Sequence, residues 1–191
     1  MQIEIGGKDT RPIVFRLLNE GEMEFLKKWF KRTFNCDLVK NILEGSKKQL
    51  LVGEGERKEI FLVPKNVFSV FKQISSVRMP FFLGLFLGEL TKGDFKLSLE
   101  GAYVVAKKCK KKWIIVSDKG EILFLYGRDI MRGSIIKWDP SIRKGDRVVI
   151  MNRRGEALGV GRVVKGLKKA KNTDIVVKNL IDRGWYLRKG G

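Results

Sequence analysis

Apolar and polar positions alternate with two different rhythms along this chain. Near the start the rhythm is helical. Asn19 followed by Glu22 has the form of a capping box and opens the run GEMEFLKKWFKRTF, in which Met23, Leu26, Phe30 and Phe34 share one face with Trp29 beside them. Two apolar runs in KKQLLVGEGERKEIFLV, residues 47–63, flank Gly53 to Glu56 and predict a hairpin. Pro64 ends the second strand and leads into a helix carrying Val67, Phe68, Phe71 and Ile74. Residues 81–87 and 95–99 read as further strands, and Gly101 to Lys108 as a short closing helix.

At KKCKKK, residues 107–112, charge density peaks, and from Trp113 the rhythm becomes that of strands. Strands are expected at 113–116, 121–123, 146–152, 157–164, 174–178 and 185–188, with a turn at Ser117 to Gly120 and a short helix or turn near 125–131. The clearest is the hairpin GDRVVIMNRRGEALGVGRVVKG, residues 145–166, which turns through Asn152, Arg153, Arg154 and Gly155. Gly159 and Gly161 lie two apart in its second strand, where a matched pair of glycines marks close approach by a neighbouring backbone or a ligand. Six short strands in so few residues suggest a small closed barrel. The expected fold class is α+β: a mixed α/β lobe over residues 1–109, then a small C-terminal β-barrel over 110–191.

Charge narrows the function. The chain carries 40 Lys and Arg against 21 Asp and Glu, a net charge of +19 on 191 residues, and a protein so basic has a polyanion as its default partner. Residues 110–191 hold 21 basic and 8 acidic side chains, so that the excess concentrates in the second lobe. The basic residues are interleaved with strand patterns instead of lying along one amphipathic helix, which favours nucleic acid over a membrane surface.

Other classes fall away. The run MPFFLGLFLG, residues 79–88, is half the length of a bilayer span and reads as a buried strand. The N-terminus has no apolar signal region, so a cytoplasmic protein is expected, nucleolar in a eukaryote. Cys36 and Cys109 are far apart in a chain without histidine, which argues against zinc and for reduced, structural cysteines. Abundant Lys, Arg and Glu with few Gln points to a thermophile. Gly159-Val160-Gly161 lacks the third glycine and the following helix of a dinucleotide fingerprint, and no Walker sequence occurs. Without histidine the usual general base is missing. The expectation is a protein with no catalytic residues, metal or cofactor.

The segments FLYGRDIMRGSI at 124–135, KGDRVVIMN, GEALGVGRV, and DIVVKNLIDRGWYLR at 174–188 together resemble a PUA domain, an RNA-binding barrel. More closely, the chain resembles the Nip-seven family of large-subunit ribosome biogenesis proteins, in its archaeal form. That family's terminal Asp, Gly, Tyr, Arg series appears here as Asp182, Gly184, Tyr186 and Arg188, and its junction between lobes as FLGLFLGELTKGDFKLSLEGAYVVA at 82–106. The likeness covers about residues 47–188 by motif, while the first 45 align loosely. It implies that FLYG opens the first helix of the barrel, beside the RNA groove.

The expected RNA-binding residues are Arg128 and Arg132 around that helix, Arg153 and Arg154 in the hairpin turn, Gly159 and Gly161, Lys165, Lys168, Lys169 and Lys171 in the loop that follows, and Lys178 and Arg183. A solvated basic loop is the plainer reading of any single lysine; as a group in one small lobe they favour RNA. Trp113, Trp138 and Trp185 read as core aromatics before base-stacking platforms. The resemblance implies a noncatalytic factor that binds precursor ribosomal RNA in large-subunit assembly, with the N-terminal lobe meeting other assembly factors. The competing readings are a PUA protein of translation that binds tRNA and a component of an RNA-modifying enzyme.

Overall fold

A computed structural model describes residues 13–75, 80, 83–185 and 188. The N-terminal lobe runs β1 (Val14–Leu17), α1 (Glu20–Phe34), α2 (Leu38–Leu43), β2 (Lys48–Glu54), β3 (Lys58–Pro64), α3 (Lys65–Ile74), β4 (Leu85–Thr91), β5 (Asp94–Leu97) and α4 (Leu99–Lys108). Its strands form an antiparallel meander in the order β1-β2-β3-β4-β5. Apolar side chains cover both faces. Leu50, Val52, Ile60, Leu62 and Leu87 pack with Trp29, Phe30 and Phe34 of α1 and with α4, whereas Leu51, Phe61 and Val63 pack with Phe15 and with Phe68 and Phe71 of α3. Burial on both sides is why β2 and β3 read as unbroken apolar runs.

The capping box is present: the Asn19 side chain accepts from the Glu22 N–H at 2.8 Å, and Glu22 accepts from the Asn19 N–H at 3.1 Å. The same carboxylate receives two bonds from Arg16 at 2.8 Å and one from Lys58 at 3.1 Å. The Arg16 guanidinium, against the opposing effect of burial, holds the Glu22 carboxyl down to about 2.

The C-terminal lobe comprises β6 (Trp113–Val116), α5 (Asp118–Leu125), β7 (Ile130–Met131), a 3₁₀ turn (Arg132–Ser134), β8 (Ile135–Trp138), β9 (Arg147–Met151), β10 (Ala157–Val163) and β11 (Ile175–Asp182). Its sheet has the order β7-β11-β10-β9-β6-β8, with β6 and β9 parallel and the other pairs antiparallel. The outermost strands, β7 and β8, are joined by the three-residue 3₁₀ turn, so the sheet curls until its edges nearly meet. Ile114, Val116, Phe124, Ile135, Val148, Ile150, Leu158, Val163, Val176 and Val177 fill the interior.

Several local expectations need correction. Residues 121–123 lie in helix α5 and not in a strand: Ser117 caps it, accepting from the Gly120 N–H at 3.2 Å, where a turn was expected. FLYG therefore closes this helix instead of opening one. Two strands, β7 and β8, occupy the stretch after it. The last strand is longer than expected and ends at Asp182, beyond which Trp185 and Arg188 are helical and not part of a strand at 185–188. Residues 81 and 82 of the strand expected at 81–87 lie outside the described residues, as does Tyr186.

The cysteines are bonded to each other. Cys36 lies just after the left-handed Asn35 that ends α1, and Cys109 is the C-cap of α4. Packing of these helices brings their Cα atoms to 5.6 Å across a sequence separation of 73. The expectation of reduced cysteines is thus corrected, because the pairing is created by tertiary packing and has no local signature.

The lobes meet over an apolar contact. Val149, Ala157 and Val160 of the barrel wall belong to the same buried cluster as Ala102, Val104 and Val105 of α4. Beside it Asp94 accepts from both terminal nitrogens of Arg147 at 2.9 and 2.5 Å and from the buried Trp29 indole at 2.8 Å. The last lysine of KKCKKK is part of the barrel: the Lys112 ammonium meets Asp146 at 2.6 Å and the Lys112 backbone N–H donates to Asp139 at 2.7 Å.

Candidate nucleic-acid interface

The loop between β10 and β11 is folded against the 3₁₀ turn. Arg132 and Gly133 donate their N–H groups to the carbonyls of Asp174 and Asn172 at 2.8 and 2.9 Å. The Arg132 side chain donates to the Leu167 carbonyl at 2.9 Å and lies over the Trp138 ring at 4.5 Å. Leu167 is buried, so the loop has an apolar anchor. Asp174 accepts from the Lys171 N–H and the Lys165 ammonium, both at 2.7 Å, and Lys165 holds its carboxyl below the usual carboxylate range. Lys165 is thus folded back onto its own loop. Lys168, Lys169 and Lys171 are exposed, and their ammonium groups have no carboxylate partner among the described residues.

Near this loop a depression of about 340 Å³ is lined by Gly120, Leu123, Arg128, Asp129, Ile130, Met131, Ser134 and Ile175. Gly120 lets α5 pack closely on the 3₁₀ turn, because a Cβ there would stand 2.9 Å from Cβ of Ser134. Leu123, Met131 and Ile175 are exposed apolar side chains on its walls. Arg128 is exposed and makes no ion pair among the described residues. Asp129 is satisfied internally by the Lys178 ammonium at 2.7 Å and the Asn179 N–H at 2.9 Å. Burial works to raise its carboxyl, but these donors hold it below the usual range. A cation such as Arg128 on the rim of an apolar floor offers a phosphate its charge, and the floor offers an unstacked base a dry surface.

The structure separates the remaining expected residues. Arg153 pairs with Asp118 of α5 at 3.4 Å, and Arg154 with Glu156 at 3.0 Å and Glu121 at 3.7 Å, so the hairpin turn is tied to the helix start. Arg183 faces the other lobe, donating to the Ala157 carbonyl at 2.9 Å and meeting Glu100 of α4 at 3.6 Å. Gly159 and Gly161 are buried, and the close approach expected there is made by β11. A Cβ on Gly159 would collide with the Ile181 carbonyl, and one on Gly161 with the Val177 side chain, 3.0 Å from the Lys178 carbonyl. The register slip between Val160 and Gly161 accompanies this contact.

Sequence reasoning passed over Leu123, Met131 and Ile175, which carry no charge and belong to elements placed wrongly or cut short. Their signal was apolar residues at the ends of short elements, where a core does not need them. Among the described residues no three carboxylates or cysteines gather in a metal-binding group, and no helix is long and apolar enough to cross a membrane.

The model of the UPF0113 PUA domain matches residues 112–191. A UPF0113 protein of Archaeoglobus fulgidus is 32% identical over 179 residues, 92% of this chain and 95% of its own. The 60S ribosome subunit biogenesis protein NIP7 of Saccharomyces cerevisiae is 29% identical over 137 residues, covering 70% of this chain and 75% of the yeast protein. These relatives are named as UPF0113 or biogenesis proteins and not as enzymes. Among solved structures, a hypothetical protein of Pyrococcus horikoshii superimposes with a TM-score of 0.60 at 16% identity over 91% of this chain and 99% of its own. A PUA domain protein of Thermoplasma acidophilum gives 0.55 at 16% identity over 89% and 96%. The C-terminal lobe is therefore a PUA domain, the overall fold is shared with these solved structures, and the chain belongs to the UPF0113 family.

Proposed function

We propose that this protein is a noncatalytic RNA-binding factor in the assembly of the large ribosomal subunit, acting on precursor ribosomal RNA. The observation that carries the reading is the set of cations without an ion-pair partner among the described residues, Lys168, Lys169, Lys171 and Arg128, on the loop and depression of the PUA barrel. Most other basic residues expected at the site, Lys165, Lys178, Arg153, Arg154 and Arg183, already hold carboxylates. Unpaired charge on one side of the barrel is what a phosphate backbone needs, since each neutralised phosphate releases counterions. Relationship to a yeast biogenesis protein supports the ribosomal setting. The N-terminal lobe is left to contact other assembly factors.

The test is to crosslink RNA to the protein in its own cells and sequence what is recovered. Precursor large-subunit RNA is expected, with crosslinks at residues 123–134 and 165–175. Recovery of tRNA alone would replace this reading with one in translation.

A further inference from the structure

A second concentration of charge lies where the lobes meet. Arg147 on β9, Arg162 on β10 and Lys178 on β11 are directly opposite one another in register, forming a row of three cations across the barrel wall. Directly opposed like charges destabilise a sheet unless something neutralises them. The two flanking members are neutralised, Arg147 by Asp94 and Lys178 by Asp129. Arg162, between them, is exposed and has no ion-pair partner among the described residues.

Arg162 opens into a cleft of about 280 Å³ between the lobes, also lined by Trp29, Arg32, Thr33, Asp94, Gly145, Asp146 and Arg147. Both carboxylates in the cleft are occupied, Asp94 by Arg147 and Trp29, and Asp146 by Lys112 and the Arg143 N–H. Arg32, in the last turn of α1, is exposed and unpaired among the described residues. What remains is two unneutralised guanidinium groups, one from each lobe, over a polar cleft. We propose that Arg32 and Arg162 together bind a phosphodiester group of the RNA, making a second contact site that spans both lobes. Planar guanidinium groups suit this task, because each donates two parallel bonds to phosphate oxygens. Of the row, only Arg162 keeps its charge for a ligand, since Arg147 and Lys178 are held by Asp94 and Asp129.

This inference rests on the RNA-binding reading and is tested so that the two can fail separately. The probe is a fluorescein-labelled single-stranded RNA of about 20 nucleotides, a length sufficient for several phosphate contacts. The variants are Arg32→Gln, Arg162→Gln and their combination, with Lys47→Gln/Lys48→Gln as an equal-charge control away from the cleft. Neither arginine has an ion-pair partner to lose among the described residues, and unchanged melting temperatures verify the fold. Each arginine variant is expected to bind roughly tenfold more weakly, the scale of a lost charge-assisted bond. Each should lower the slope of log K against log salt by about 0.7, with little further change in the double variant because both hold one phosphate. The inference is overturned if the arginine variants lose no more than the lysine control while Lys168→Glu/Lys169→Glu/Lys171→Glu abolishes binding; the RNA-binding reading then stands without it. A wild-type chain with no affinity, or with salt-independent affinity, overturns both. Protection of the melting temperature by millimolar inorganic phosphate, lost in the arginine variants while RNA affinity is unchanged, overturns the strand assignment in favour of a free anion.

Discussion

Replacing Asp94 with alanine removes the polar clasp between the lobes and should show how strongly they are joined. The carboxylate receives two bonds from Arg147 and one from the Trp29 indole. The Arg147 side chain is 20% exposed and that of Asp94 39%, so this ion pair lies between a surface pair, worth at most about 1 kcal/mol, and a buried one, whose breaking costs about 3 to 5. The Trp29 N–H adds to the loss, because it sits in a residue only 2% exposed and would have no acceptor in place of Asp94. Together these give about 2 to 3 kcal/mol. At about 2 to 4 °C per kcal/mol for a chain of this length, the melting temperature should fall by roughly 4 to 12 °C. Urea unfolding followed by tryptophan fluorescence and far-ultraviolet circular dichroism measures the free energy. A cycle with Arg147→Ala isolates the pair, with a coupling of about 1.5 kcal/mol or more expected. A coupling below about 0.5 kcal/mol would refute the clasp.

Other outcomes follow from the same geometry. Reversing Lys168, Lys169 and Lys171 to Glu should weaken RNA binding at least about tenfold more than reversing Lys47, Lys48 and Lys65, as measured by fluorescence anisotropy; equal losses would indicate a diffuse polycation. Gly159→Ala drives a methyl group into the Ile181 carbonyl and should cost about 3 kcal/mol in chemical denaturation, the upper range for overpacking, whereas Gly155→Ala at the open hairpin turn should cost only its backbone strain, about 1 kcal/mol. Glu22 has a folded-state value of about 2 against an ordinary 4.5, so its contribution is complete above about pH 5 and is lost as pH falls towards 2; Glu22→Gln should flatten that part of the stability profile by about 2 kcal/mol. Reducing the Cys36–Cys109 bond, which closes 73 residues, should lower stability by up to about 4 kcal/mol, read as a fall in melting temperature with a phosphine reductant.

How legible each element was depended on whether its determinants were local. Helix α1 announced itself because Asn19, Glu22 and the face of Met23, Leu26, Phe30 and Phe34 lie within four turns. The β9–β10 hairpin did so because its turn chemistry and alternation are contiguous. Helix α5 did not. Ile122 to Leu125 is an unbroken apolar run, which has no period, and Ser117 serves equally as a turn residue and a helix cap. At the candidate interface the sequence displayed every cation but not the carboxylates that would face them. Asp174 is nine residues from Lys165, Asp129 is 49 from Lys178, and Glu100 is 83 from Arg183. Only the fold separates the paired from the unpaired, and it did so by leaving Lys168, Lys169, Lys171 and Arg128 free among the described residues.

The β9–β10 hairpin buries apolar side chains on both of its faces. Val148, Ile150 and Leu158 point into the barrel, while Val149, Ala157 and Val160 support α4. Cutting the chain before Trp113 would strip α4 away and leave a greasy stripe along two adjacent strands, the kind of surface through which fragments self-associate. An isolated barrel should therefore come out of a cell as aggregate unless Val149 and Val160 are first made polar.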